Sequence, residues 1–157
     1  MRIEVRTGAF DPLAELSRYR EESTAAERLG ATAIFIGTMR DYNEGQPVRK
    51  MMLEHYPGMT ERQLQCIVDE ARARWPFDDA LVIHRVGDLF PADPIVLVAV
   101  WSSHRGTAFD ACRQILEELK HRAPFWKKET LEQGARWVET NSDGYTPRPI
   151  PPTSRTR

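Results

Sequence analysis

Cysteine is scarce, with Cys66 and Cys112 the two in 157 residues. They make no C-x-x-C and fall in two predicted helices, so neither a disulfide framework nor a zinc knuckle is expected. Long apolar runs are missing too. The longest, Ile95 to Trp101, has seven residues, against the ~20 that a membrane helix needs. Met1 to Arg6 alternates charge and apolarity and carries no apolar signal-peptide core. There is no P-loop, no G-x-G-x-x-G, no useful Ser-His-Asp order and no metal-ligand spacing. Nor does one charge dominate: 22 Lys plus Arg stand against 23 Asp plus Glu, leaving −1. That balance argues against a long polyanion such as duplex DNA. The expectation is a soluble, reduced, cytoplasmic protein with no metal, cofactor, nucleic-acid or membrane partner.

What is present suits one globular unit. At 157 residues, with 41% hydrophobic and 29% charged side chains, the chain can bury a core without staples. Charge is unevenly placed. Between His104 and Lys128 six basic residues face three acidic ones, which points to a confined anionic ligand.

Hydrophobic spacing predicts the elements. Arg2 to Thr7 alternates as a strand, and Asp11-Pro12 starts a helix with Leu13 and Leu16 facing inward. Ala31 to Gly37 reads as a buried strand, joined by a polar loop to a second strand, Val48 to His55, as a hairpin. Thr60 and Gln63 form a capping-box pattern before a helix whose stripe is Leu64, Ile67, Val68, Ala71 and Trp75, ended by Pro76. Ala80 to Arg85 and Ile95 to Ser102 read as strands, the second central. Thr107 to Arg122 is a second long helix with Ala108, Cys112, Ile115 and Leu119 inside, ended by Pro124. Phe125 to Lys128 and Arg136 to Glu139 are short strands. The expected fold is an α+β domain over residues 1–140, with a largely antiparallel sheet and two long helices. Residues 141–157, with four prolines, form a flexible tail.

Several residues could carry chemistry. Ser102 to Thr107 runs from a strand end into a helix start, where free N–H groups, His104 and Arg105 suit a phosphate. A surface His-Arg pair at a turn would look the same. Lys120 follows Leu116 by one helical turn and sits at the margin of the apolar stripe, far from His104. It is either a snorkelling lysine or a partly desolvated amine able to act as nucleophile or acid–base group. In Phe125-Trp126-Lys127-Lys128-Glu129, strand alternation lets only one of the two lysines line a given pocket. Protective lysines on an edge strand are the alternative. Phe35 to Arg40 runs from a strand into a loop that delivers Arg40, with Gly37 permitting a bend or a close approach, and Arg40 alone is no evidence of a site. His84-Arg85 precedes Val86-Gly87-Asp88, which reads as a turn, and the pair is taken as structural.

Taken in order, these stretches resemble the large, catalytic subunit of molybdopterin synthase. The resemblance rests on Phe35 to Arg40, Leu53 to Met59, His84 to Leu89, His104-Arg105, Ala108-Phe109, Lys120, Pro124 to Glu129 and Trp137-Val138. It runs from about residue 31 to 138. Position 38 is threonine, where related proteins often carry lysine. The resemblance implies an α/β hammerhead fold and a homodimer flanked by two small ubiquitin-like sulfur-carrier subunits, a heterotetramer. Each carrier ends in a Gly-Gly thiocarboxylate. The implied reaction converts cyclic pyranopterin monophosphate (precursor Z) to molybdopterin by installing two sulfurs. The implied substrate-binding positions are Thr38, Met39, Arg40, His104, Arg105, Lys120, Lys127, Lys128 and Glu129. Lys120 takes the acid–base or nucleophilic role and Lys127 is its electrostatic partner. A cyclic-phosphate hydrolase using His104 and Lys120, and a non-catalytic adaptor for a ubiquitin-like protein, are the rival readings.

Overall fold

A computed structural model describes residues 1–22, 29–132 and 134–138. The expected tail lies outside the described residues. Two sheets and their helices make up the α+β fold of the described residues. The first has the order β1-β5-β7-β2, built from β1 (Arg2–Arg6), β5 (Asp79–Arg85), β7 (Pro94–Ser102) and β2 (Ala31–Thr38). Only β1 and β5 run parallel in it. The second sheet joins β3 (Tyr42–Asn43), β4 (Gln46–His55), β8 (Phe125–Leu131) and β9 (Gly134–Trp137), with β6 (Gly87–Leu89) also on β4.

Among the described residues three helices cover the first sheet. On one face α2 (Met59–Arg74) and α3 (Arg105–Arg122) bury Leu64, Ile67, Val68, Ala108, Ile115 and Leu119 against Val82, Val98 and Val100. Strand β7 is central and apolar on both faces, so its alternate residues Leu97, Ala99 and Trp101 pack on the other side with Phe10, Leu16 and Tyr19. There lies α1 (Pro12–Glu22), capped by Asp11, whose Oδ1 accepts from the Leu13 and Ala14 N–H groups at 2.9 and 3.2 Å.

Several expectations need correction. Leu13 is exposed, because α1 turns Glu15 inward instead, where Arg2 and Arg6 each reach it at 2.9 Å. The proposed hairpin between residues 31–37 and 48–55 does not form. Met39 is pinned by backbone bonds with Ala92 and Asp93, which turns the chain out of the first sheet, so β2 pairs with β7 and β4 with β8. The hairpin is instead β3–β4, closed by Glu44-Gly45, both at positive φ. Strand β2 is an edge rather than a buried strand, and Ile34 and Ile36 are exposed beyond the reach of α1. The helix cap sits earlier than Thr60-Gln63: Glu61 accepts from the Gly58 N–H, and the buried Thr60 hydroxyl accepts from the Tyr56 N–H. The segment read as a turn at Gly87-Asp88 is strand β6, paired to Met52 and Leu53.

A third core, Met39, Val48, Met51, Leu53, Val86 and Leu89, lies beneath the second sheet. Val48 and Leu53 differ in parity yet both point inward. A register shift between Val48 and Lys50 makes that possible. Where this core meets the first, the two sheets leave a cleft.

Candidate active site

The cleft is a cavity of about 720 Å³ between the C-terminal half of α3 and the two sheets. Its apolar wall is Phe35, Val48, Met51, Leu53, Ile95, Val96, Leu116 and Leu119. Gly37 belongs to that wall because a Cβ there would meet Val96 Cγ1 at 2.8 Å. The pairing of β2 with β7 slips directly after it, between Gly37 and Thr38.

Polar groups converge on this wall from four places. Thr38 and Arg40 come from the end of β2, on either side of the apolar Met39, Asn43 and Glu44 from the β3–β4 hairpin, Lys120 from α3, and Lys127 and Glu129 from β8. Lys120 is half-buried, one turn beyond Leu116. Alternation along β8 puts Phe125, Lys127 and Glu129 inside, and Trp126 and Lys128 outside. Lys128 therefore faces away from the cavity, with its Nζ 5.4 Å from the Trp137 ring centre. Burial, reinforced by the Lys120 charge, pulls the Lys127 amine below its ordinary pKa, against the opposing pull of Glu129. Glu129 is itself buried. Its Oε1 accepts from Asn43 Nδ2 at 2.8 Å and its Oε2 from Arg136 Nε at 3.1 Å.

His104 and Arg105 are elsewhere. They sit exposed at the N-terminus of α3, where the His104 N–H donates to Ser102 Oγ at 3.4 Å. Lys120 lies fifteen residues beyond Arg105 on one helix, about 22 Å along its axis. No single small ligand in this cavity touches both ends.

Sequence reasoning missed Asn43, Glu44, His84 and Arg136. His84, read from the sequence as structural, lines the cavity. Its Nδ1 is 3.0 Å from the Arg85 carbonyl. A carbonyl only accepts, so Nδ1 carries the proton and Nε2 is left as an acceptor. The ring stacks on Phe125 at 4.0 Å, and burial pushes its pKa down to about 4. Arg85, the other half of the pair, is structural, 3.1 Å from Asp93. Strand alternation at Ala80–Arg85 was the one signal that could have placed His84 beside Val82 on the helix-covered face.

The family model described as MoaE protein matches residues 9–122. The chain belongs to the MoaE family. Among curated MoaE relatives, the molybdopterin synthase catalytic subunit of Ralstonia nicotianae is 57% identical over 137 residues, 87% of this chain and 76% of that protein. That of Escherichia coli is 54% identical over 110 residues, covering 70% and 73%. The fold agrees. The crystal structure of molybdopterin synthase from Staphylococcus aureus superposes with a TM-score of 0.78 at 33% identity, covering 89% of this chain and 99% of that one. The molybdopterin biosynthesis MoaE protein of Burkholderia ambifaria gives 0.72 at 48%, covering 87% of each. Membership makes this chain an enzyme subunit of molybdopterin synthesis. The matched span includes Arg40, His104, Arg105 and Lys120, while Lys127, Glu129 and Arg136 lie beyond it. Among the described residues no helix is long and apolar enough to cross a membrane.

Proposed function

We propose that this chain is the catalytic subunit of a cytoplasmic molybdopterin synthase. It converts cyclic pyranopterin monophosphate to molybdopterin with sulfur from the C-terminal thiocarboxylate of a small ubiquitin-like carrier. The observation that carries the reading is the meeting of Lys120 and Lys127 on one cavity from different elements, in a chain of the MoaE family.

The residues suit the chemistry. A cyclic phosphate that opens gains charge, and fixed cations offset it; Arg40, Lys120 and Lys127 are within the cavity. Sulfur leaves an acyl carbon of the carrier, so the site must stabilise an oxyanion and move protons. Burial of Lys127 and the repulsion of the Lys120 ammonium together loosen the Lys127 proton. Lys120 and Lys127 act as a pair, one giving charge while the other exchanges a proton or attacks. Thr38 and Met39 shape the rim beside Arg40, and Glu129 orients the pair. His104 and Arg105, about 22 Å away, serve the cavity of a second copy in a homodimer. Lys128, on the outer face, meets the carrier or substrate only at the margin.

The test is incubation with precursor Z and thiocarboxylated carrier, followed by assay for the dithiolene product. Wild type forms product. Lys120→Arg should fold and bind carrier yet lose at least about a hundredfold in turnover, the scale of one acid–base group, because arginine keeps its proton near neutrality. Product formation by Lys120→Arg at the wild-type rate would remove Lys120 from the chemistry. Phosphate-ester hydrolysis by water without carrier would select the hydrolase reading.

A further inference from the structure

The second sheet contains an ion cluster whose outer member lies behind the cavity wall. Arg136 projects from β9, where its neighbour across the ladder is Glu129 of β8. Its Nε donates to Glu129 Oε2 at 3.1 Å, and Nη2 lies 3.1 Å from the same oxygen without being aimed along a hydrogen bond. Its Nη1 is 3.1 Å from Glu44, on the β3–β4 turn. Asn43, from the same hairpin, occupies the other Glu129 oxygen. One guanidinium thus joins β9, β8 and the β3–β4 turn around a carboxylate on the same face of β8 as Lys127. Such an arrangement exceeds what a surface ion pair needs, since Glu129 is only 6% exposed.

We propose that Arg136 is a positioning residue for the reacting lysines: it fixes Glu129 in one orientation and counters its charge, so that Glu129 orients Lys127 without gripping its proton. The proposal rests on the role given to Lys127 above. A buried carboxylate beside an ammonium favours the charged amine, and Glu129 pulls in that direction. A guanidinium on the far side of the carboxylate opposes that pull twice. It shares the negative charge, and its own positive charge repels the ammonium. Other charged or titratable groups lining the cavity with Lys127 are Lys120 from α3, Arg40 and Glu44 from the segment after β2, and His84 from β5, on which His55 of β4 acts in turn. His84 is uncharged at neutral pH. Arg136 stands outside this set: it is a cation bonded to Glu129 that does not itself line the cavity.

The experiment follows the lysine side-chain 13Cε resonances of the full chain through a pH titration. Lys127 is assigned by the signal that Lys127→Arg removes. Arg136→Gln should raise the Lys127 midpoint by about one unit, the shift expected when one nearby countercharge is lost. Arg136→Lys, which keeps the charge but not the fork, should return most of that shift. Glu44→Gln cuts the tether to the turn alone and should not raise the midpoint. In turnover the acid limb of the pH profile moves with the midpoint, so activity below it falls about tenfold, while binding of the carrier in a pull-down is unchanged. A Lys127 midpoint that stays or falls in Arg136→Gln overturns the proposal. Loss of folding in Arg136→Gln also overturns it, since that would make Arg136 a structural residue. The titration is read on resting protein, so a wild type that makes no molybdopterin would count against the proposed function and not against this device.

Discussion

At pH 7 the His84 imidazole is neutral and buried, and acid has to charge it inside the wall of the cavity. Burial lowers its pKa from 6.5 to about 4, with Lys127 and His55 adding to the effect and the Arg85 carbonyl opposing it. The unfolded chain therefore binds the proton first, and stability falls as pH drops from about 6.5 towards 4. Full charging separates the two states by about 3 kcal/mol. Urea midpoints measured from pH 7 to 4.5 should fall more steeply in wild type than in His84→Gln, which has nothing to titrate there. Parallel slopes would mean that His84 is charged or solvated in the folded protein. Lys127 shows the same physics in milder form, because its amine keeps Glu129 as a counterweight.

The element that organises the molecule is α3. Its middle closes the core through Ala111, Cys112 and Ile115, while its two ends present Arg105 and Lys120 to different surroundings. The start of α3 depends on a close backbone approach. A Cβ on Gly30 would stand 2.4 Å from the Ser103 carbonyl oxygen, and the Gly30 N–H donates to the Ser102 carbonyl at 3.1 Å. Backbone cannot swing aside as a side chain can. Gly30→Ala should therefore destabilise the protein by about 1–3 kcal/mol, read as a lowered melting temperature. It should also displace the His104-Arg105 corner relative to β2. An unchanged melting temperature would show that the approach relaxes freely.

For the whole molecule, exposed apolar groups are too many to ignore. Ile34 and Ile36 project from the edge of the first sheet, Trp126 and Trp137 from the second, and Tyr56 just past the end of β4, Trp126 and Tyr56 edge-to-face at 5.3 Å. Such surfaces favour association. In the proposed homodimer, the α3 N-terminus of one copy completes the cavity of the other. Lys120→Ala and Arg105→Ala, each inactive alone, should then restore turnover when unfolded and refolded together, because mixed dimers carry one intact site. No recovery on mixing, or sedimentation of the wild type at 18.1 kDa only, would place both clusters in the service of a single chain.

The linear order of residues determined most of the elements and part of the cavity lining. Periodicity located α2 and α3, the apolar run marked β7 as central, and alternation at Phe125 to Glu129 separated Lys127 from Lys128. Those features are local, set by side chains within a few residues of each other. Pairing is not local. Which strand lies beside β2, and that β4 belongs to another sheet, follow from the anchoring of Met39 by Ala92 and Asp93, fifty-odd residues away. The tethers of Glu129 likewise come from Asn43, 86 positions earlier, and from Arg136 across a hairpin. His84 became a cavity residue only once Phe125 stacked on it from the second sheet. The motifs named Lys120 and Lys127, whereas their distance from His104 and the charges that act on the Lys127 amine exist only in the folded chain, where Coulomb forces act through space rather than along the sequence.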